Sequence, residues 1–170
     1  MVATPAKTEA RLYPTRNDLS VDTRKQVVEI LNHSLAATVD LKTQTKQAHW
    51  NVKGKDFYQL HELFDEMAAE VEEYVDMVAE RVTALGGTAL GTARMAADGS
   101  ILAEYPVTAV SGDDHVTALA DRYAAYAQHV RAAIAQTDDL GDADTADLYT
   151  EISRTIDKRL WFLEAHLITQ

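Results

Sequence analysis

Residues 57–85 read FYQLHELFDEMAAEVEEYVDMVAERVTAL, and this stretch decides the fold class. Its apolar side chains recur every three or four positions from Leu60 to Leu85, which is the period of one face of an α-helix. Gly86 and Gly87 follow at once and predict the end of the helix. The sequence therefore predicts one long amphipathic helix, helix B, over residues 57–85.

Segments rich in helix formers flank helix B on both sides, and no segment alternates as a strand would. Helix A is expected to begin at the N-cap residue Ser20, to run to about Val52 and to stop at Gly54. The other predicted elements are a short helix around residues 93–97, helix C at 113–137, and helix D at 145–167 with Asp144 as a suitable N-cap.

Four long helices, a tight A–B turn and a long B–C crossover over residues 88–112 predict a ferritin-like four-helix bundle. The predicted fold class is thus all-α, with one domain over residues 20–170. Residues 1–19 contain two of the three prolines and are expected to form a flexible tail.

The composition narrows the classes of partner. The 16 Lys and Arg residues and 27 Asp and Glu residues give a net charge of −11, which disfavours nucleic-acid binding through the overall field and favours cations. Cysteine is absent, which excludes disulfides, thiolate metal sites and cysteine nucleophiles. With no long apolar run and no signal-peptide pattern, a soluble cytoplasmic protein without membrane contact is expected.

Helix B carries a polar stripe as well as an apolar one. At 100° per residue, Asp65, Asp76 and Glu80 lie within about 100° of His61, and the centre of this arc lies about 140° from the apolar face. The spacing of the pairs 61/65 and 76/80 lets the side chains of each pair meet. These groups are therefore expected to face something other than the core of their own bundle.

One metal ion cannot be bound by both pairs of the same helix, because fifteen positions span about 22 Å. A two-fold axis that packs two B helices antiparallel would bring 61/65 of one chain to 76/80 of its partner, twice. His49 lies about five residues before the A–B turn and His61 about four residues after its start, so the two imidazoles are expected to be roughly level in an antiparallel hairpin.

The predicted constellation is His49, His61 and Asp65 of one subunit with Asp76 and Glu80 of the other. Imidazoles and carboxylates without sulfur suit Fe, Mn or Zn, and the set leaves room for a second metal ion. The alternative is a solvated, salt-bridged helix face. Zinc proteolysis is a further alternative that the residues disfavour, because Asp65 stands where a His-Glu-x-x-His motif has its second His.

Several motifs occur in a specific order and spacing. They are KQAHWNVKG at residues 46–54, LHELFD at 60–65, DxxAER at 76–81, ALGG at 84–87 and DKxLWFLE at 157–164. In these motifs the chain resembles the Dps family, the ferritin-like mini-shells known as DNA-binding proteins from starved cells. The resemblance covers the chain from about residue 20 to its end.

The resemblance implies a hollow dodecamer with a ferroxidase site, formed by the same five ligands, at each two-fold interface. It implies oxidation of Fe²⁺, typically with hydrogen peroxide in preference to oxygen, and storage of the ferric product in the cavity. Trp50, beside a ligand, resembles the family's proposed sink for stray oxidising equivalents. A packing role for Trp50 at a dimer interface is equally compatible with the sequence.

Six acidic residues and no basic residue lie between Asp138 and Glu151. Part of this charge suits the first turn of helix D, where the helix dipole stabilises anions. The resemblance also implies a cation-attracting pore at a shell three-fold axis, for which Asp142, Asp147 and Glu151 are the candidates.

DNA binding is predicted to be weak or absent. Each phosphate contact needs a cation. Residues 1–20 carry Lys7, Arg11 and Arg16 against Glu9 and Asp18, a net charge of +1. A nucleoid-associated, DNA-binding protein with a vestigial metal site remains the alternative function, and an inert helical assembly module is a third.

The remaining histidines have no partners at ligand spacing. His33, His115, His129 and His166 are therefore expected to be surface residues or satisfied core residues.

Overall fold

The computed structural model describes residues 11–168, and five α-helices account for most of them. None of these helices combines the length and the apolar character needed to cross a membrane. The helices are α1 (Val21–Asn51), α2 (Phe57–Ala84), α3 (Ala93–Gly99), α4 (Gly112–Asp139) and α5 (Ala143–Leu167).

The four long helices form two antiparallel hairpins, α1 with α2 and α4 with α5, which pack together as a four-helix bundle. The connection between α2 and α4 carries α3, which lies against α1. No strand occurs in the part of the chain that the structure describes. The all-α bundle with a long crossover is thus confirmed, and predicted helix ends differ from the observed ones by only a few residues.

The apolar stripe of α2 is buried as its spacing predicts. Burying side chains of this size stabilises the bundle by roughly 1.5–3 kcal/mol each relative to exposure. Because the stripe fixes how α2 is rotated, the opposite arc, which carries the predicted site, must face outwards. The large apolar residues of the stripe are Leu60, Phe64, Met67, Val71, Tyr74, Val78 and Val82.

Side-chain caps begin three of the long helices, α1, α4 and α5. Ser20 caps α1 as predicted, accepting a hydrogen bond from the Thr23 amide at 3.0 Å. The prediction for α5 was wrong by two residues, since Asp142 rather than Asp144 is its N-cap. Asp142 accepts from the Thr145 amide at 3.1 Å and is also held by the Arg81 guanidinium of α2.

The segment before α1 contacts the bundle. Tyr13 N donates to the carbonyl of Gly86 at 2.7 Å, and Leu12 and Leu19 pack against the core. Gly86 has φ +86°, and a Cβ there would lie 2.5 Å from the Tyr13 carbonyl oxygen, so this close approach requires glycine. The remainder of the predicted tail, residues 1–10, lies outside the described residues, and the mobility of the tail stays a prediction.

Candidate metal centre

The turn between α1 and α2 brings His49 and His61 face to face. Gly54, with φ +112°, allows the tight reversal after α1. The two imidazole rings stack with their centroids 3.8 Å apart and an angle of 20° between their planes. Sequence spacing predicted that these histidines would be level, and the structure confirms it.

Each of the two histidines is held by the backbone of the other. Nδ1 of His49 donates to the carbonyl of His61 at 2.8 Å, and Nδ1 of His61 donates to the carbonyl of His49 at 2.9 Å. A carbonyl oxygen can only accept, so both Nδ1 atoms carry the proton when the rings are neutral. Both Nε2 atoms therefore keep their lone pairs, which is the form in which imidazole binds a metal ion.

Asp65 lies one turn beyond His61 and completes this half of the site. Its Oδ1 is 3.9 Å from Nε2 of His49 and accepts a hydrogen bond from Lys46 Nζ at 2.5 Å. This bond to the Lys46 ammonium lowers the pKa of Asp65 below its usual value. The carboxylate is thus anionic at neutral pH, and a cation already occupies one of its oxygens.

Asp76 and Glu80 are both exposed on α2, on the outward side of the helix. Fifteen positions separate His61 from Asp76, a distance of about 22 Å along a helix, so one protomer cannot unite the two pairs. Within residues 11–168 of one protomer, no group of three or more His, Asp or Glu side chains is close enough to hold a metal ion.

Aromatic side chains border the histidine pair. Trp50 is 66% exposed, and its ring lies 5.9 Å from Lys46 Nζ, within range of a cation–π contact. The Phe57 ring centroid lies 5.2 Å from that of His61. Trp50 thus adjoins the half-site formed by His49, His61 and Asp65, and its large exposed surface is available for packing or for redox chemistry.

Comparison with known proteins identifies the family of this chain. The sequence model of one protein family, the ferritin-like domain, matches residues 28–169. A DNA protection during starvation protein of Agrobacterium fabrum is 45% identical over 157 residues, which cover 92% of this chain and 97% of that protein. The chain belongs to the ferritin-like Dps family.

Solved structures of Dps proteins superpose closely on this chain. DpsC from Streptomyces coelicolor has a TM-score of 0.89 at 34% identity, with 94% of this chain and 93% of that chain covered. Mycobacterium smegmatis Dps has a TM-score of 0.87 at 30% identity, with 94% of each chain covered. The family resemblance inferred from the motifs is therefore confirmed, and so is the Dps fold.

The three acidic residues proposed for a pore in this Dps chain differ in their surroundings. Asp142 is only 2% exposed, and its oxygens bind Arg81 at 2.6 Å and the Thr145 hydroxyl at 2.5 Å. Asp147 and Glu151 are exposed on α5. Asp142 therefore has a role within the fold, and the pore prediction is kept for Asp147 and Glu151.

Among the other histidines, His33 and His166 are exposed, as expected of surface residues. His115 is buried, and its Nδ1 bonds the Tyr105 hydroxyl at 2.6 Å, but its Nε2 has no hydrogen-bond partner. His115 is thus a core residue that is only half satisfied. His129 is half-buried and bonds Ser34.

Lys46 is the site residue that sequence reasoning missed. It is the first residue of the motif at residues 46–54, and it lies one turn before His49 on α1 and therefore on the same face. That spacing is the signal from which its contact with the site could have been found.

Proposed function

We propose that this Dps chain forms two-fold dimers within a hollow dodecamer, oxidises Fe²⁺ at sites shared between subunits and stores the ferric product in the cavity. The observation that carries the proposal is the stacked pair His49 and His61, with both Nε2 lone pairs free beside the anionic Asp65. Asp76 and Glu80 of a partner subunit would complete the site. The same donors also suit Zn²⁺ and Mn²⁺.

The shared site would favour a two-electron reaction. Two Fe²⁺ ions held side by side can reduce hydrogen peroxide together, so that two Fe³⁺ ions and two water molecules form once two protons are taken up. Hydroxyl radical, the product of one-electron reduction, is then largely avoided. We propose hydrogen peroxide as the preferred oxidant over oxygen, the cytoplasm as the location and protection from oxidative damage as the outcome.

Trp50 and the acidic start of α5 would support this reaction. Trp50 is exposed beside the half-site, where it could intercept stray oxidising equivalents or pack against the partner subunit. Asp147 and Glu151 are exposed carboxylates on one face of α5, spaced by four residues, and would attract Fe²⁺ towards a pore.

A peroxide pulse tests the ferroxidase proposal. The protein is loaded with Fe²⁺ under anaerobic conditions, peroxide is added, and Fe³⁺ formation is followed by absorbance. His61→Ala and Asp65→Ala are each expected to slow oxidation at least about tenfold, because each removes a direct ligand. His33→Ala is the matched control, since His33 is exposed and away from the site. Oxidation at the wild-type rate in both site variants would refute the assignment.

Lys46 is expected to compete with iron for Asp65. Replacing it in Lys46→Gln removes the ammonium that holds the carboxylate, so Fe²⁺ no longer has to displace it. Because exposed ion pairs are weak, the gain in affinity is expected to be a factor of about two to five. Anaerobic calorimetric titration with Fe²⁺ measures this. Lys42→Gln, which breaks the pair with Glu72 on the same two helices, should leave the affinity unchanged.

DNA binding is the second candidate function, favoured by the name of the Agrobacterium fabrum relative. The charge of residues 1–20 argues against direct binding, and Lys7 and Glu9 lie outside the described residues. We expect no gel shift of linear duplex DNA at about 150 mM salt, because few cations are available to displace counterions. A clear shift under these conditions would favour the nucleoid-associated alternative, in which the metal site is vestigial.

A further inference from the structure

Three helices meet at a hydrogen-bonded chain inside the bundle. The hydroxyl of Tyr149 on α5 donates to Ser34 Oγ on α1 at 2.7 Å. Ser34 Oγ lies 2.9 Å from Nε2 of His129 on α4 and 3.1 Å from the carbonyl of Ile30, so its one proton can be donated to either acceptor. Tyr149 and Ser34 are completely buried, whereas His129 is half-buried. A buried phenol is thus connected through one hydroxyl to an imidazole that reaches towards the surface.

Other buried tyrosines lack such a connection. Tyr126 bonds Thr38 at 2.7 Å, and among the described residues the only other acceptor of Thr38 is the backbone carbonyl of Ser34. Ser34 itself has such a backbone acceptor in Ile30, but it has the imidazole of His129 beside it as well. The hydrogen-bonded chain that starts at Tyr123 also ends at a backbone carbonyl. A carbonyl oxygen is too weak a base to take a phenolic proton, so within residues 11–168 these two chains end without a titratable base.

This difference matters for oxidation. A phenol that loses an electron becomes strongly acidic, and an uncompensated charge in the low-dielectric interior is costly, so the proton needs an acceptor. Burial lowers the pKa of His129, with His33 contributing as a nearby cation, so the imidazole is neutral at neutral pH. A neutral imidazole protonated on Nδ1 presents the Nε2 lone pair to Ser34.

We propose that Tyr149 is a site of one-electron oxidation and that Ser34 and His129 relay its proton. One electron passes from the phenol to a strong one-electron oxidant such as hydroxyl radical, which becomes hydroxide. The phenolic proton moves to Ser34 Oγ while the Ser34 proton moves to Nε2 of His129. The products are a neutral tyrosyl radical, a serine and an imidazolium.

The inference rests on the proposed function for the source of its oxidant, since hydroxyl radical forms when Fe²⁺ reduces peroxide one electron at a time. The bonds from Tyr74 to Thr155 and from Arg159 to Glu70 fix the register of α2 and α5. In that register Tyr149 lies at about the same height along the bundle as Glu80, one of the proposed iron ligands.

Flash photolysis of the full-length protein tests the relay without iron. Photo-excited ruthenium tris-bipyridine with persulfate supplies the oxidant, and ascorbate then removes radicals on exposed tyrosines before the sample is frozen for electron paramagnetic resonance. We expect a persistent tyrosyl signal in the wild type. Tyr149→Phe is expected to lose it. His129→Gln, which keeps a hydrogen-bond acceptor but cannot take the proton, is expected to lose it as well.

Tyr126→Phe is the matched control, because Tyr126 is equally buried and its hydrogen-bonded chain through Thr38 ends without a titratable base. It should keep the persistent signal, with helicity and particle size unchanged in all variants. A signal that survives in Tyr149→Phe, a wild type without any persistent signal, or equal loss in Tyr126→Phe would overturn the proposal. Since no iron is present, these outcomes are independent of whether the chain is a ferroxidase.

Discussion

Mixing two inactive variants is expected to restore about one quarter of wild-type iron oxidation, if the site is shared across a two-fold axis. The variants are His61→Ala, which damages the histidine half of the site, and Glu80→Ala, which damages the carboxylate half. In a mixed dimer, one of the two sites combines the intact histidine half of one chain with the intact carboxylate half of the other.

The expected fraction follows from counting. When the two chains are coexpressed in equal amounts, half of the dimers are mixed and each mixed dimer has one intact site of two, which gives about one quarter of all sites. The measurement is the rate of Fe³⁺ formation after a peroxide pulse, compared with each variant assembled alone.

A second mixture provides the control. His61→Ala with Asp65→Ala damages the same half in both chains, so every site in a mixed dimer stays broken and no activity should return. Recovery in this control, or no recovery in the first mixture, would contradict a shared site.

Replacing Asp142 by alanine is expected to destabilise the protein by about 3–5 kcal/mol, because Arg81 would lose its buried partner. The same substitution removes the N-cap of α5, which contributes about 1 kcal/mol of that loss. Asp142 is almost completely buried, and its two oxygens serve Arg81 and Thr145. Denaturant unfolding at one fixed protein concentration measures the change, since assembly links stability to concentration.

Asp144→Ala is the control for this prediction. Asp144 is exposed, and its distance to Arg81 is 3.9 Å, so its removal should change the free energy of unfolding very little. If Asp142→Ala were equally mild, Asp142 would not be the residue that fixes the start of α5, and its place in a pore would need to be considered again.

Helical periodicity predicted much of the fold and of the site. The spacing from Leu60 to Val82 defines which side of α2 is buried, and it thereby determines that Asp65, Asp76 and Glu80 face outwards. The level positions of His49 and His61 follow from their similar distances from a tight turn. Such features depend only on the number of residues between two positions and on the geometry of one helix or one hairpin.

Contacts between elements were less predictable. Lys46 reaches Asp65 because α1 is rotated in a particular way against α2, and that rotation depends on packing across the whole interface. Asp142 rather than Asp144 begins α5 because Arg81 of another helix holds it there. The hydrogen bond from Tyr13 to Gly86 joins two backbone groups, so no side-chain pattern predicts it.

The mutual backbone bonds of His49 and His61 bear on the usual conflict between activity and stability. Functional sites often destabilise a fold because their polar groups have no hydrogen-bond partner until a ligand binds. Here the Nδ1 protons form hydrogen bonds that join α1 to α2 beside the turn, and only the Nε2 lone pairs remain available for a metal ion. Selection for a firmer hairpin and selection for a better-oriented site therefore act on the same two side chains in the same direction.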